Sequence, residues 1–453
     1  IQNFNVPSTV RRITVDVRPG QQFHFGSTQI TPLVQGTQKI DEFRNGEPAY
    51  STVIQSAVES AVDDWRHAGR AKATVRDQDL TANHQNKLIN ARIWIDPGPL
   101  VRFGQLRHTN ASAVRTSKIE RIAGLPEGEG FDPDEAEAAA NRLRRTGAFA
   151  SVVLREAETL GPGNTMDMLL TTADMKPRRF GFGAELSSIE GLGLSAYWMH
   201  RNLLGGGERL RIEGKVKDIG SKTSGRDEDL TFRLDRPATI TPDTTAYVET
   251  RLARMREEDY DSDSASVGLG FNRIFSDRLT TNLAVEYQFS RVFDANGQRD
   301  FKVLAFPLSV TWDQRDEPTD ARKGYYLSAD AAPFKGFGGT DDGVRLLGEA
   351  RGFYSLGQDD RFTLAGRARL GSVLGSDIRN TPRDYLFQAA DVPRIVGAVV
   401  ESELARQIAS RNVDDVLTTE KAAIQEIVRE RAQALADRYL YLPLIGLAWI
   451  AAW

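Results

Sequence analysis

Leu279-Thr280-Thr281-Asn282-Leu283-Ala284-Val285-Glu286-Tyr287-Gln288-Phe289-Ser290 alternates residue by residue. Leu279, Thr281, Leu283, Val285, Tyr287 and Phe289 fall on one side, and Thr280, Asn282, Ala284, Glu286, Gln288 and Ser290 on the other. A period of two belongs to a β-strand with one apolar face, because successive side chains leave a strand in opposite directions. The same rule holds on both sides of this stretch. Leu210, Ile212, Gly214 and Val216 oppose Arg211, Glu213, Lys215 and Lys217; Phe362, Leu364, Gly366, Ala368 and Leu370 oppose Arg361, Thr363, Ala365, Arg367 and Arg369. About eleven such strands are expected, near 178–187, 191–201, 208–218, 228–236, 244–255, 262–273, 279–291, 300–313, 324–334, 343–356 and 361–373.

Two architectures share this pattern. A soluble sandwich buries the apolar face and wets the charged one, whereas an outer-membrane barrel turns the apolar face to lipid. Length separates them, since globular strands favour about five or six residues and a tilted membrane strand needs about 9 to 11. Several runs here are of the longer kind, and hairpins join them without intervening helices, which favours the barrel.

Upstream the chain repeats itself. Pro19-Gly20 with Phe25-Gly26 returns as Pro97-Gly98 with Phe103-Gly104, an offset of 78 residues that also carries Pro48 to Pro126, Gly69 to Gly147 and Val75 to Val153. In the first copy Val53, Ile54, Ala57, Val58, Ala61, Val62 and Trp65 form a helical stripe that stops at Gly69. In the second, Asp132 is placed to cap a helix opened by Pro133, with Ala136, Ala139, Ala140 and Leu143 as its apolar face. Strand-like runs follow each glycine, so each unit is expected to read strand, helix, helix, strand, strand. Residues 1–17 read as the remnant of an earlier copy.

Composition bounds the rest. The 453 residues suggest about three folded units. Lys and Arg number 58 against 62 Asp and Glu, a net charge of −4 with no basic footprint for nucleic acid. The absence of cysteine excludes disulfides, thiolate metal sites and cysteine nucleophiles. Hydrophobic residues make up only 40%, and the longest uncharged apolar run, Tyr439 to Trp453, is shorter than the roughly 20 residues of a spanning helix. The chain opens at Ile1 without a charged-then-apolar leader, so a signal peptide is expected to have been removed or not included. The five histidines, His24, His67, His84, His108 and His200, show no ligand spacing, and no Gly-x-Ser-x-Gly elbow marks a nucleophile. Gly205-Gly206-Gly207 is followed by Glu208 and Arg209, where a phosphate loop needs Lys and Ser or Thr. No enzyme, cofactor or metal is expected.

The helix ending in a Gly-Ala-Phe-like turn before two strands resembles the POTRA domain, in units at 18–96 and 97–175. Trp312-Asp313-Gln314-Arg315-Asp316-Glu317-Pro318, then Asp320 and Gly324-Tyr325-Tyr326-Leu327, resembles the hairpin signature of the BamA/TamA superfamily of outer-membrane assembly proteins. Asn202-Leu203-Leu204-Gly205-Gly206-Gly207-Glu208 is placed like that superfamily's second hairpin, and the order of parts is most similar to its TamA-like members. The resemblance implies tandem α+β POTRA-like domains followed by an antiparallel transmembrane β-barrel, here a partial one at 178–388. It implies outer-membrane localisation with periplasmic N-terminal domains. The implied partners are unfolded outer-membrane protein clients, a periplasm-spanning subunit and the bilayer, with no cofactor and no nucleic acid. The signature residues are Asp313, Arg315, Asp316, Pro318 and Gly324; a tight turn with an ion pair is the plainer reading of the same residues. The seam strand, where a client would be templated, is Arg178 to Ser187, with Arg178, Phe180, Gly181 and Gly183 as its marked positions. Its glycines weaken strand pairing or relieve crowding at a bend, two readings of equal standing.

After Phe387 the pattern departs. No Val-Arg-Gly-Phe or Val-Arg-Gly-Tyr follows, and eleven strands leave two unpaired edges that a bilayer cannot satisfy. Residues 389–453 are expected to form a helical tail of different origin. Ser410 to Thr419 and Ile424 to Val428 are similar to the prohibitin/stomatin (band-7) family, a generic charged helix pair being the alternative. The expected function is assistance in inserting or translocating other outer-membrane or autotransporter proteins. The alternatives are a two-partner-secretion transporter, a membrane-associated scaffold acting through the tail, and a chimera without function.

Overall fold

A computed structural model describes residues 21–375, apart from 38–39, 188–190, 222–223, 258–259, 296 and 358–361, together with 446–450. The expected remnant at 1–17, the band-7-like stretch and most of the expected helical tail lie outside the described residues. These divide into two compact units. One draws on residues up to Thr109, on Leu125–Ala140 and on Val153–Thr171; the other on Asn110–Gly124, Asn141–Val152 and everything from Thr172 onward.

The 78-residue repeat appears in the elements. Strand β1 (His24–Thr31), helix α1 (Ser51–His67), β2 (Thr74–Asn83) and β3 (Leu88–Asp96) form a sheet of order β1-β3-β2. Then β4 (Arg102–His108), α2 (Thr116–Ala123), α3 (Pro133–Arg145), β5 (Phe149–Glu156) and β6 (Thr165–Asp174) form one of order β4-β6-β5. In both copies the first strand pairs parallel to the last, with a register break just after the phenylalanine, between Phe25 and Thr28 and between Phe103 and Leu106. The glycine after each phenylalanine leaves space that the facing strand uses. A Cβ on Gly26 would press on the Asn90 side chain, and one on Gly104 on the Asp167 carboxylate. The second copy has the two expected helices, but among the described residues the first has one. Residues 41–47 turn instead, and Arg44 forms short-range ion pairs with Asp41 and Glu47 in place of a helical stripe.

Helix α1 buries Ala57 and Ala61. Helix α3 starts where expected, with Asp132 Oδ1 accepting the Asp134 N–H at 2.9 Å, and it buries Ala139, Ala140 and Leu143. Its acids stand in the first turn and Arg142, Arg144 and Arg145 in the last, which suits the helix dipole at both ends.

From Arg178 a single sheet of thirteen strands takes over. Its members are β7 (Arg178–Ser187), β8 (Gly191–Arg201), β9 (Arg209–Ile219), β10 (Asp227–Arg236), β11 (Thr244–Arg256), β12 (Tyr260–Ser276), β13 (Leu279–Asp294), β14 (Gly297–Ala305), β15 (Leu308–Asp313), β16 (Gly324–Phe337), β17 (Gly343–Leu356), β18 (Phe362–Leu374) and β19 (Gly446–Ile450). Sequence neighbours other than β14 and β15 pair antiparallel. The strand expected at 300–313 is two strands, because Pro307 has no N–H to give to a ladder; β14 and β15 share the place between β13 and β16. The expectation of a wholly helical tail is corrected at 446–450. That uncharged run pairs with β18 from Ala365 opposite Ile450 to Arg369 opposite Gly446, where the β18 edge supplies partners for its backbone groups. No helix among the described residues is long and apolar enough to cross a membrane.

Because the strands alternate in direction, the turns after β8, β10, β12, β15 and β17 all lie at the end of the sheet where β7 begins. Within the described residues the strand order runs from β7 to β19, and β7 pairs with β8 alone.

Candidate functional site

The sheet has two chemically opposite faces. Register places Leu252 with Ala265, Val248 with Leu269, and Leu269 in turn with Val285, in one continuous apolar face. The large residues of this face are exposed: Leu252, Val248 and Val285 by 45%, Leu269 by 52%, and Leu283 beyond them by 54%. On the other face Asp235, Ser262 and Ser290 are buried, with Ala284 and Val303 among them. A sandwich in water would bury the first face. An exposed apolar face of this extent is a surface for a non-aqueous neighbour. The belt has edges: on β12 it runs through Phe271, Leu269, Val267 and Ala265, and the same row then meets Arg273 at one end and Asp263 at the other. Beyond the belt the row carries an alternating charge ladder, Arg254 on Asp263 at 3.2 Å and Arg291 on Asp300 at 2.8 Å.

On the opposite face ion pairs run both along strands and between them. Arg211 and Lys215 hold Glu213 at 2.8 and 3.1 Å. Arg233 joins Asp235 at 2.9 Å and Glu249 at 2.8 Å, and Arg209 also holds Asp235. Farther along, Arg367 grips Glu349 with two bonds of 3.0 Å. A polar recess of about 200 Å³ opens in this face, lined by Glu249, Arg251, Ser264, Ser266, Glu286 and Gln288 among others. Charges of both signs along a wetted wall can pass polar or extended chains without binding any one of them tightly.

The residues expected to form the hairpin signature meet between β15 and β16. Arg315 folds back on Asp313 two residues earlier, with Nε on Oδ1 at 2.8 Å and Nη2 on Oδ2 at 2.6 Å, and its Nη1 donates to the Pro318 carbonyl at 2.9 Å. Asp316 Oδ1 accepts the N–H groups of Glu317, Arg322 and Lys323 at 3.0 to 3.1 Å and so closes the loop from within. Gly324 has φ +101°, and any Cβ there would collide with the Gln314 carbonyl. Tyr326 lies between two guanidinium groups, those of Arg315 at 5.3 Å and Arg351 at 5.0 Å from its ring centre. The loop is a tight turn with an ion pair, the plainer reading of these residues, and it holds Arg315 beside Tyr326.

The marked positions of β7 lie on the edge strand. Phe180 and Phe182 are exposed, while Gly181 and Gly183 fall on the alternate side. Gly181 makes room for the Tyr197 ring of β8, which a Cβ would penetrate, and Arg211 of β9 lies 4.0 Å from that ring's centre. The same triplet recurs as Gly270, Tyr247 and Arg233, again at 4.0 Å, with the Tyr247 hydroxyl donating to Asn282 at 3.0 Å. At Gly181 the space a Cβ would take is filled by the Tyr197 ring. Sequence reading missed Tyr197, Tyr247, Arg211 and Arg233 as a set. The signal was a tyrosine on the polar side of one strand opposite a glycine on the next, which needs the register to be seen.

The turn between β8 and β9 is built around Glu208. Its buried carboxylate accepts the Gly206 N–H at 2.8 Å, and Asn202, at φ +64°, accepts that of Gly207 at 2.9 Å. Asn202 Nδ2 also donates to the Ala113 carbonyl, and both Nε and the N–H of Arg115 donate to the Gly205 carbonyl. Among the described residues one grouping of histidine and carboxylates lies within 4.8 Å, His67 with Asp132 and Asp134. It is a joint and not a ligand set, since Asp132 caps α3 and His67 is engaged on both ring nitrogens.

Parts of this chain resemble known proteins. Residues 202–390, from the Glu208 turn to beyond β18, match the family model of the Omp85 superfamily domain. This stretch is similar to that domain. Among solved structures, BamA from Haemophilus ducreyi lacking POTRA domains 1–3 resembles the chain with a TM-score of 0.58 at 13% identity, over 80% of this chain and 73% of that one. CdiB from Escherichia coli aligns over 82% of this chain and 72% of its own at 13% identity, with a TM-score of 0.45. At such identity the likeness to BamA is one of fold.

Proposed function

We propose that the chain is a TamA-like outer-membrane component that assists the insertion or translocation of other β-rich outer-membrane or autotransporter proteins. The Omp85 domain would sit in the outer membrane of a Gram-negative bacterium, with POTRA-like units at 18–96 and 97–175 in the periplasm. Its partners are unfolded outer-membrane clients, a periplasm-spanning subunit and the bilayer, and the work is physical, with no catalysis. The observation that carries this reading is the edge strand β7. It pairs on one side only among the described residues, and its N–H and C=O groups can template a client strand by β-augmentation while side chains make few demands. The exposed apolar belt supplies the membrane setting and the charged face a wetted path for the chain.

The absence of cysteine from the sequence makes a clean test available. Single cysteines at Phe180, Phe182 and Glu185, with the protein in outer-membrane-like vesicles, should cross-link to cysteines in the final strand of a client stalled during insertion. Cross-links confined to strands other than β7 would overturn the proposal. Capture of one soluble secreted chain in place of membrane clients would assign the two-partner-secretion role instead.

A further inference from the structure

The last turn of the long helix carries a cation at the same repeat position in both copies, His67 in α1 and Arg145 in α3, 78 residues apart. Each meets a carboxylate that belongs to the next segment of chain. His67 Nε2 lies 3.4 Å from Asp134 Oδ1 at the start of α3. Arg145 Nη2 lies 2.7 Å from Asp243 Oδ1 in the turn between β10 and β11, where Arg142 joins it at 2.9 Å.

The surroundings make both contacts into joints. Beside His67, Arg66 pairs with Glu156 and lies 5.5 Å from the Phe131 ring centre, and Lys72 donates to the Ala157 carbonyl at 2.7 Å. The N–H of Val101 donates to the Gly69 carbonyl at 2.9 Å. Beside Arg145, Arg142 also donates to the Ala123 carbonyl at 3.1 Å, and Pro242 sits so close to Gly124 that a Cβ there would strike its ring. Gly124, at φ +59°, is the C-cap of α2.

We propose that these two helix ends are copies of one docking device, cation on carboxylate, and that the first copy is a pH-sensitive joint while the second is permanently engaged. The chemistry is in the ring of His67. Its Nδ1 lies 2.9 Å from the Asp63 carbonyl oxygen, which can only accept, so Nδ1 carries a proton. Nε2 faces a carboxylate oxygen, which also only accepts. Both nitrogens are satisfied together only in the imidazolium form. The charged groups facing the ring are Asp63 of its own helix, Asp134 and, beside them, Asp132, and all are acidic. The Asp63 carbonyl raises the pKa of His67 above its ordinary value, burial opposes it as the next largest effect, and Asp134 adds to the rise. A raised pKa gives a joint fully formed below about pH 6.5, the unfolded value, and weakened as pH climbs through the folded value. Arginine at the equivalent position has no such transition. The proposal concerns how segments are joined and stands whether or not the chain handles clients.

The test uses the full chain in detergent. Deuterium exchange at the imidazole carbon, read by mass spectrometry, should give His67 a titration midpoint above that of the exposed reference, and Asp134→Asn should lower it. Backbone protection over 64–70 should rise about threefold from about pH 8 to about pH 5.5, as expected for one exposed ion pair. His67→Arg should hold the higher protection at both pH values and His67→Ala the lower. Protection of 141–145 should be independent of pH in this range and fall about threefold in Asp243→Asn. An unmoved His67 midpoint in Asp134→Asn, or the same pH response in His67→Arg as in the parent, would overturn the proposal.

Discussion

The Tyr197 ring packs on Gly181, filling the space that a Cβ at that position would take, and Arg211 covers the ring from the next strand. The edge strand is thereby locked to β8 by shape, although its other side has no partner among the described residues. Such a pairing gives β7 a defined register although its apolar face, Phe180, Phe182 and Leu186, is exposed and does not impose one.

Gly181→Val should therefore loosen the β7 and β8 pair. Forcing the tyrosine off its rotamer costs about 1–3 kcal/mol, as for overpacking elsewhere. Gly183→Ala meets only the Ser195 hydroxyl and should cost less. Heat-modifiable mobility in mild detergent gives the comparison, and Tyr197→Ala in the Gly181→Val background should recover part of the loss. No difference between the two glycine variants would show that Tyr197 is not what sets the register.

Arg315 is the second fixed point. Its side chain is 13% exposed and bonds to Asp313, to the Pro318 carbonyl and to the face of Tyr326. Arg315→Ala leaves the Asp313 carboxylate half-buried without its partner and should lower the denaturant midpoint by about 1–3 kcal/mol equivalent. Arg315→Lys cannot form the two-pronged contact and should recover less than half of that. Gly324→Ala should be the most severe of the three, because both its φ of +101° and the Gln314 carbonyl oppose it.

What the sequence made legible and what it hid follow from the range of each signal. Alternation is local, so ten of the eleven expected strands match within about two residues at most ends, within the usual scatter of boundaries. The strand at 300–313 misled because Pro307 keeps the alternation while removing a donor. The turn residues Asp313, Arg315, Asp316, Pro318 and Gly324 are near neighbours in sequence and could be grouped from it. Tyr197 with Arg211, Arg233 with Tyr247, and Arg142 with Asp243 are joined by register or by docking over long sequence separations, and no local pattern links them. Glu208 was passed over as the residue that breaks a phosphate-loop motif. Its carboxylate is instead what satisfies the glycine turn.

Acid should weaken the second repeat at one identifiable place. Arg107 donates to the Asp167 carboxylate, the Gln105 N–H adds a bond of 2.9 Å, and together they hold its pKa below the usual value. A depressed carboxylate contributes stability that is present above its unfolded pKa and lost as pH falls through the folded one. Between about pH 5 and about pH 2 the melting temperature should fall more steeply in the parent than in Asp167→Asn. Parallel curves would mean that Asp167 gains nothing from its partners.

The assignment of faces is itself open to measurement. Leu269 and Ser266 are three residues apart on β12 and therefore on opposite faces, the first opposite Val248 and Val285 in the belt, the second opposite Arg251 and Gln288 by the polar recess. If the belt meets lipid, Leu269→Arg should cost about 2–4 kcal/mol in folding from urea into bilayers, the range for a cation near the midplane of a membrane strand. Ser266→Arg should cost much less, since it enters a wall where arginines and carboxylates already alternate. In lipid-free detergent micelles the Leu269→Arg penalty should shrink while the Ser266→Arg value stays put. Equal penalties at the two positions would mean that both faces meet the same medium, and a lipid-facing belt would then have to be abandoned.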